Sequence, residues 1–245
     1  MSIAIIGGTG LTSLPGLEIT RREVVHTPYG EPSGPITHGR YSGKDVMFLA
    51  RHGYGHTIPP HRVNYRANLW ALNRLGVKRI IAVAAVGGIT ERMAPGVIAF
   101  PDQIIDYTWS RHHTFFEDNL THVTHVDFSY PYDAELRAAL IEGAKRAKID
   151  FVDGGTYGAT QGPRLETAAE IRRMRQDGCE LVGMTGMPEA ALARELGIAY
   201  AHCAVVSNWA AGVHGETVSM TEIEETLKAG MGRIMQLLTQ VVPLL

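Results

Sequence analysis

Two short segments of the chain carry residue types that bind small anions. The first, Gly7-Gly8-Thr9-Gly10, follows the apolar run Ile3–Ile6. Glycine allows the backbone angles and close approaches that let several N–H groups converge on an anion. The second, Arg51-His52-Gly53, follows the apolar run Val46–Ala50. Together the two segments predict a small-anion pocket, with a plain structural turn as the alternative for the glycine segment.

A dinucleotide cofactor is another ligand that such a glycine turn can hold, and the residues that follow argue against it. The dinucleotide fingerprint needs a third small residue followed by a helix packed on the strand. Here Ser13 is followed by Leu14-Pro15-Gly16, which breaks a helix. No clear second strand ends in an acidic residue about 20 positions further on. The sequence therefore predicts neither a nicotinamide nor a flavin cofactor.

Composition narrows the class of protein. The 245 residues are 45% hydrophobic and 20% charged, which predicts one α/β domain over residues 1–245 with a sizeable core. The net charge of −2 argues against a nucleic-acid or membrane-surface binder. Cys179 and Cys203 lie in apolar stretches and are predicted to be buried, reduced thiols, and no cluster has the spacing of a zinc site. Because neither a signal-peptide pattern nor an apolar run of membrane-spanning length is present, we predict a cytoplasmic protein without a membrane segment.

Apolar runs bounded by glycine, proline or charge predict strands, and amphipathic stretches predict helices, in near alternation. The order predicts an α/β fold with a mixed, mostly parallel central sheet and helices on both faces. Thr221 is predicted to cap the last helix, and Gly76, Gly178 and Gly197 are predicted to end helices. The segment Trp109–Pro131 is long for a loop, which is typical of functional or partner-binding segments. The predicted strands are 3–6, 23–26, 36–41, 46–50, 79–86, 97–100, 151–160 and 200–206, and the predicted helices are 63–75, 134–147, 165–176, 187–196 and 221–241.

Polar or glycine residues follow five of these strands. Ligands of open α/β sheets bind at the carboxyl ends of the strands, so the five segments predict one shared site rather than five independent turns. The segments are Gly7–Gly10, Arg51-His52, Gly87-Gly88, Gln161–Glu166 and Ser207-Asn208.

Five motifs occur along the chain in the order Gly7-Gly8-Thr9-Gly10, Ala50-Arg51-His52-Gly53 with His56-Thr57, Asn64-Tyr65-Arg66-Ala67-Asn68, Gly162-Pro163-Arg164 and Met184-Thr185-Gly186-Met187-Pro188-Glu189. Together they resemble the family of trimeric purine nucleoside phosphorylases and methylthioadenosine phosphorylases, and the methylthioadenosine branch most closely. The resemblance implies phosphorolysis, in which phosphate attacks C1′ of a purine nucleoside and the free purine leaves. It implies no cofactor apart from inorganic phosphate as co-substrate, and a homotrimer in which the loop Trp109–Pro131 is the candidate interface.

The resemblance also implies which residues hold phosphate and ribose. Thr9, Arg51, His52 and Thr185 match phosphate-binding positions, and the guanidinium suits bidentate contact with phosphate oxygens. Met184 is expected to lie under the ribose and to meet a ribose hydroxyl through its backbone. The family often has a hydroxyl residue in the loop where this chain has Ala84 and Ala85. Any phosphate contact from these two alanines must therefore come from backbone N–H groups.

The base end departs from the methylthioadenosine branch, which typically has an Asp-x-Asp pair and a serine after its Gly-Pro-Arg motif. Here Asn208 and Ala210 stand for the pair, and Glu166 follows Leu165 at the serine position. Glu166 and Asn208 are similar to residues of the branch that cleaves inosine and guanosine. An ionised Glu166 accepts from N1–H of a 6-oxopurine, and Asn208 donates to O6 or N7, where negative charge develops in catalysis. We assign these four residues to the base, with a helix-cap role as the alternative for Glu166.

The opposite end of the nucleoside points to an apolar 5′ group. Met220 and Ile223 suit a methylthio substituent and would leave a hydroxyl unpaired. His125 matches a family histidine that closes this pocket from a neighbouring subunit, and His214 is the candidate partner of a 5′-hydroxyl. The two ends together predict S-methyl-5′-thioinosine as the substrate. The alternatives are inosine or guanosine, methylthioadenosine, and a non-catalytic nucleotide-binding scaffold.

Overall fold

The computed structural model describes residues 2–118, 120–214 and 218–245. The strands are β1 (Ser2–Gly7), β2 (Glu18–Glu23), β3 (Ile36–Tyr41), β4 (Lys44–Ala50), β5 (Val77–Gly88), β6 (Ile98–Phe100), β7 (Gln103–Asp106), β8 (Phe151–Asp153), β9 (Thr156–Ala159), β10 (Cys179–Gly183) and β11 (Ala199–Trp209). The helices are α1 (Tyr65–Arg74), α2 (Ala134–Arg146), α3 (Ala168–Gln176), α4 (Gly186–Glu195) and α5 (Met220–Val241).

One mixed sheet contains all of these strands. Its main path runs β2-β3-β4-β1-β5-β10-β9-β7, and β11 pairs with both β5 and β6, while β8 pairs with β6. Strands β1, β4, β5 and β11 pair in parallel, whereas β2, β3 and the β5–β10 contact are antiparallel. The prediction of a mixed central sheet is confirmed.

Helices cover both faces of the sheet, as predicted. On one face α1 and α4 bury Leu69, Leu72 and Leu192 in a shared apolar cluster. On the other face α2 and α5 bury a second cluster that includes Leu140 and Ile234. Burial of these side chains, rather than helix propensity, holds most of each helix in place. Among the described residues, no helix has both the length and the hydropathy needed to cross a membrane.

Several predicted boundaries are wrong for identifiable reasons. The predicted strand 151–160 is two strands, because Gly154 and Gly155 adopt positive φ angles of 85° and 113° between them. The predicted strand 23–26 lies earlier, at β2. Helix α3 begins at Ala168, where Thr167 and Glu170 form a capping box. Ser219, not Thr221, caps α5 by accepting from the Glu222 N–H at 3.4 Å.

Two strands were not predicted, and three glycines behave as expected. β7 and β10 are only 4 and 5 residues long, so neither carries a clear alternating pattern. Gly76, Gly178 and Gly197 follow helices with φ angles of 81°, 92° and 64°, which is the left-handed conformation that glycine favours. Between β7 and α2 the described part of the predicted loop has no helix or strand.

Candidate active site

A cavity of about 500 Å³ opens at the carboxyl ends of the central strands. It gathers all five strand-end segments that the sequence predicted as one site. Apart from the two histidines His125 and His214, every predicted site residue contributes to its wall. The predicted residues in the wall are Thr9, Arg51, His52, Ala84, Ala85, Leu165, Glu166, Met184, Thr185, Asn208, Ala210, Met220 and Ile223.

The cavity lies where β1 and β10 both pair with one edge of β5 and leave a gap between them. Along that edge β1 pairs as far as Ala82, and β10 begins to pair only at Gly87. Among the described strands, none pairs with the intervening residues Val83–Val86 on this side. Strands whose neighbours diverge form the usual ligand crevice of α/β sheets. The gap leaves backbone groups of β5 free to face a ligand.

The alternation of strand backbone groups distinguishes the two alanines in this gap. The Val83 carbonyl faces the gap, since it accepts from Nη1 of Arg51 at 2.9 Å. In an extended strand the N–H and C=O groups of residues i and i+2 share an edge. The N–H of Ala85 therefore faces the anion pocket, whereas the backbone groups of Ala84 face β11. The predicted backbone contact is thus available from Ala85 and not from Ala84.

Arg51 is fully buried and paired with a carboxylate. Its Nε and Nη2 each donate to Glu189 at 2.7 Å, and Glu189, also fully buried, accepts from the Tyr200 hydroxyl at 2.8 Å. Burial alone would lower the pKa of Arg51, but the Glu189 carboxylate outweighs it and raises that pKa above its ordinary value. The bidentate face predicted for phosphate is therefore used on Glu189. Phosphate can reach only the remaining N–H groups of Nη1 and Nη2.

His52 is a neutral hydrogen-bond acceptor at the same end of the cavity. Its Nδ1 lies 2.8 Å from the Ile58 carbonyl oxygen, so Nδ1 carries the proton and Nε2 presents a lone pair. Burial, together with the positive charge of Arg51, lowers the pKa of His52 to about 4. At neutral pH this ring suits the hydroxyl of hydrogenphosphate rather than a fully deprotonated oxyanion.

Two threonines complete the anion end. Thr185 precedes α4, and its hydroxyl makes no capping hydrogen bond to the helix, which leaves it available to a ligand. Its backbone N–H is used, because it donates to the Tyr157 hydroxyl at 3.3 Å. Thr9 lies in the glycine turn after β1, where Gly10 has a φ of 83° that glycine tolerates best.

At the base end, neighbours fix both polar side chains. Glu166 accepts at Oε1 from the Thr160 hydroxyl at 2.6 Å. The Asn208 amide oxygen accepts from Ser207 at 2.7 Å, and its amide nitrogen donates to the Trp209 carbonyl at 2.8 Å. A flipped amide would place its oxygen against the Trp209 carbonyl oxygen, so the hydrogen bonds determine which end is nitrogen. One N–H of that nitrogen has no partner among the described residues.

The opposite wall is apolar where the structure describes it. Val218, Met220, Ile223 and Leu227 come from the start of α5 and the residues before it. Among residues 218–227, no polar side chain lines the cavity. Residues 215–217 lie outside the described residues. Met220 is 61% exposed.

Two predicted histidines lie away from this cavity. His214 contacts Trp209 edge to face at 4.4 Å and has Nε2 3.9 Å from Glu91, in a separate cavity of about 260 Å³. His214 therefore does not serve a 5′-hydroxyl in this arrangement. His125 is exposed on the loop before α2 and touches no wall of its own chain's cavity. Its role toward a neighbouring subunit stays a prediction.

Arg111 is a residue that supports the cavity wall and that sequence reasoning missed. Its guanidinium donates to the carbonyls of Met184 at 2.8 Å and Met187 at 2.6 Å, and to those of Thr160 at 3.1 Å and Gln161 at 2.8 Å. It thereby joins the long loop to the two segments that carry Glu166 and Thr185. Arg111 lies inside a loop without periodicity, and no spacing rule marks a single arginine there as important. Glu189 lies inside the Met184–Glu189 motif, but its partner Arg51 is 138 positions away in the sequence.

The chain is similar in sequence and in fold to known phosphorylases. The sequence profile of the Phosphorylase superfamily matches residues 2–243, and the chain belongs to that superfamily. A protein of Pseudomonas syringae pv. tomato named "Probable S-methyl-5′-thioinosine phosphorylase" is 55% identical over 239 residues, covering 98% of this chain and 97% of the relative. A "6-oxopurine nucleoside phosphorylase" of Pyrococcus furiosus is 48% identical, covering 99% and 92%.

Solved structures confirm the fold. A methylthioadenosine phosphorylase from Schistosoma mansoni in complex with adenine superposes with a TM-score of 0.94 at 32% identity, covering all of this chain and 91% of that one. These similarities confirm the predicted family and the prediction of a phosphorylase-type enzyme.

Proposed function

We propose that this protein cleaves S-methyl-5′-thioinosine with inorganic phosphate, releasing hypoxanthine and 5-methylthioribose 1-phosphate. The observation that carries the proposal is a single cavity with two unlike ends. Glu166 and Asn208 offer an acceptor and a donor at one end, and Val218, Met220, Ile223 and Leu227 form an apolar wall at the other. Relatives named for the same substrate, at up to 55% identity, support it.

The proposed chemistry relies on positioning and electrostatics. A phosphate oxygen attacks C1′ as the bond from C1′ to the purine nitrogen breaks, and the bonding electrons leave with the base. Arg51, Thr9, Thr185 and the Ala85 N–H hold the phosphate beside the positive charge that develops on the ribose. The free N–H of Asn208 stabilises the negative charge on the purine. The proposed steps involve no cofactor, and inorganic phosphate is proposed as the only co-substrate.

A second candidate is a 6-oxopurine nucleoside phosphorylase that acts on inosine or guanosine. The same Glu166 and Asn208 favour it, as does the Pyrococcus furiosus relative of that name. The apolar wall argues against it, because a 5′-hydroxyl packed against Val218, Met220, Ile223 and Leu227 would lose hydrogen bonds to water and gain no partner from these residues.

The test is phosphate-dependent base release from methylthioinosine, methylthioadenosine, inosine and adenosine, each assayed separately. The proposal expects methylthioinosine to have the highest kcat/KM. A preference for inosine would retain the base assignment and overturn the apolar pocket. A preference for methylthioadenosine would overturn the roles of Glu166 and Asn208.

We further propose that one domain over residues 1–245 works as a cytoplasmic homotrimer. Trp109, Val123 and Tyr130 are exposed on the loop between β7 and α2, which supports this loop as the interface. His125, on the same loop, would complete the 5′ end of a neighbour's site. The buried, unpaired thiols of Cys179 and Cys203 fit a reducing compartment. Size-exclusion chromatography with light scattering tests the assembly.

A further inference from the structure

Glu166 lies between two cavities, and only one of them holds the nucleoside in the proposed function. The second cavity, of about 430 Å³, is lined by Thr160 and Glu166 together with residues of β7 and α3. Thr160 does not line the nucleoside cavity. The Thr160 hydroxyl therefore contacts the carboxylate without lining the cavity proposed for the nucleoside.

The backbone of Thr160 is held on both sides. Its N–H donates to the Gly183 carbonyl at 2.8 Å, and its own carbonyl accepts from Arg111 at 3.1 Å. The side chain is 8% exposed, so water competes little for its hydroxyl. The hydroxyl thus occupies a fixed position next to a carboxylate that lies on a loop.

The single hydroxyl proton of Thr160 goes to Glu166. The Oε1 atom is 2.6 Å away, whereas the alternative acceptor, the Gly183 carbonyl, is 3.2 Å away and already accepts from the Thr160 N–H. Hydrogen bonds to ionised acceptors are shorter and stronger than those between neutral groups. The contact therefore fixes the rotamer of the Glu166 carboxylate.

We propose that Thr160 is a specificity-determining positioning residue, which holds Glu166 as an oriented acceptor for N1–H of a 6-oxopurine. With Oε1 occupied by Thr160, Oε2 is the atom presented to the base. Without the hydroxyl, Glu166 is free to turn away from N1–H, so the preference for a 6-oxopurine weakens. Thr160 thus acts on base choice through Glu166 and not by contact with substrate. This inference rests on the proposed function.

The experiment compares Thr160→Val, which removes the hydroxyl at nearly constant shape, with Thr160→Ser, which retains it. Thr239→Val, on the exposed side of α5, is the matched control, because its hydroxyl bonds the Gln236 carbonyl of the same helix and lies outside both cavities. The readouts are kcat/KM for methylthioinosine and methylthioadenosine, the KM for phosphate, and thermal stability. Thr160→Ala provides the same hydroxyl loss in a second variant.

We expect Thr160→Val to lower kcat/KM for methylthioinosine about 10- to 100-fold while that for methylthioadenosine holds or rises, with the KM for phosphate unchanged. Thr160→Ser should return the ratio of the two substrates close to wild type. An unchanged ratio, an equal loss for both substrates, or a failure of serine to rescue would overturn the inference. Wild-type enzyme that ignores methylthioinosine would instead overturn the proposed function.

Discussion

The two ends of the nucleoside cavity are built in opposite ways. At the phosphate end, the side chain of Arg51 is fully buried and held by Glu189 and the Val83 carbonyl, from distant parts of the chain. At the 5′ end, Met220 is 61% exposed at the first turn of α5. The phosphate end is thus preorganised by strand ends and a buried ion pair. The 5′ end consists of a few apolar side chains at the surface. We therefore expect the fold to constrain phosphate binding more tightly than selectivity for the 5′ substituent.

The largest expected effect is at the buried ion pair. Arg51→Met removes anion-binding N–H groups and leaves the Glu189 carboxylate uncompensated, so we expect kcat/KM for phosphate to fall about 100- to 1000-fold. The free energy of unfolding should fall by about 3–5 kcal/mol, because an unpaired buried charge remains. Steady-state kinetics in phosphate and urea unfolding measure the two effects.

The double variant Arg51→Met with Glu189→Met separates stability from binding. Replacing both charges by apolar groups should recover most of the lost stability, since no buried charge is left unpaired. Phosphate use should not recover. Normal saturation by phosphate in either variant would remove Arg51 from the anion site.

The next largest effect concerns the base end. Glu166 and Asn208 are half-buried there, between the fully buried Arg51 and the exposed Met220. Glu166→Ser combined with Asn208→Asp should shift preference from methylthioinosine to methylthioadenosine by about 100-fold, since a hydrogen-bonding site rejects the wrong donor pattern strongly. The ratio of the two kcat/KM values measures it. A double variant that still prefers the 6-oxopurine would show that these residues do not read the base.

A smaller effect is expected at the 5′ end. Ile223→Ser should reduce the preference for methylthioinosine over inosine by about 10-fold, and Met220→Ser by less, because Met220 is 61% exposed and we expect part of its surface to stay in water with substrate bound. His214→Gln is the control and should leave this ratio unaltered, since His214 lies in a separate cavity. If His214→Gln alone raised the ratio of methylthioinosine to inosine use, His214 would be serving the 5′-hydroxyl after all.

The smallest effect on activity should come from His202, which lies in the core behind the phosphate end. It is fully buried, and both ring nitrogens lack a hydrogen-bond partner among the described residues. Burial, with a contribution from Arg51, lowers the pKa of His202 to about 3. Between pH 6.5 and about 3 the unfolded chain therefore binds more protons at this site, and stability falls as the pH falls.

His202→Leu should flatten this acid limb of the stability curve while retaining most of the activity. Urea unfolding at several pH values between 7 and 4 measures it. An acid limb as steep as that of the wild type would assign the loss of stability to other groups.

The sequence predicted most of the residues that line the cavity but few of the residues that hold them in place. The strand-end segments were visible because glycine, arginine or amide groups follow apolar runs, and the sheet then brings those ends together. The pairing of Arg51 with Glu189 was not visible, since the two residues are 138 positions apart and only the tertiary structure joins them. Arg111 and Thr160 were missed for a related reason, because each acts on neighbours of the ligand and carries no motif.

The most direct test of the central claim is a competition assay in which methylthioinosine, methylthioadenosine and inosine compete in one vessel for the enzyme at saturating phosphate. The ratio of the initial rates of consumption reports relative kcat/KM without separate calibration. The two-ended cavity predicts that methylthioinosine is consumed well before the other two. Faster loss of inosine or methylthioadenosine would contradict one end of the cavity or the other.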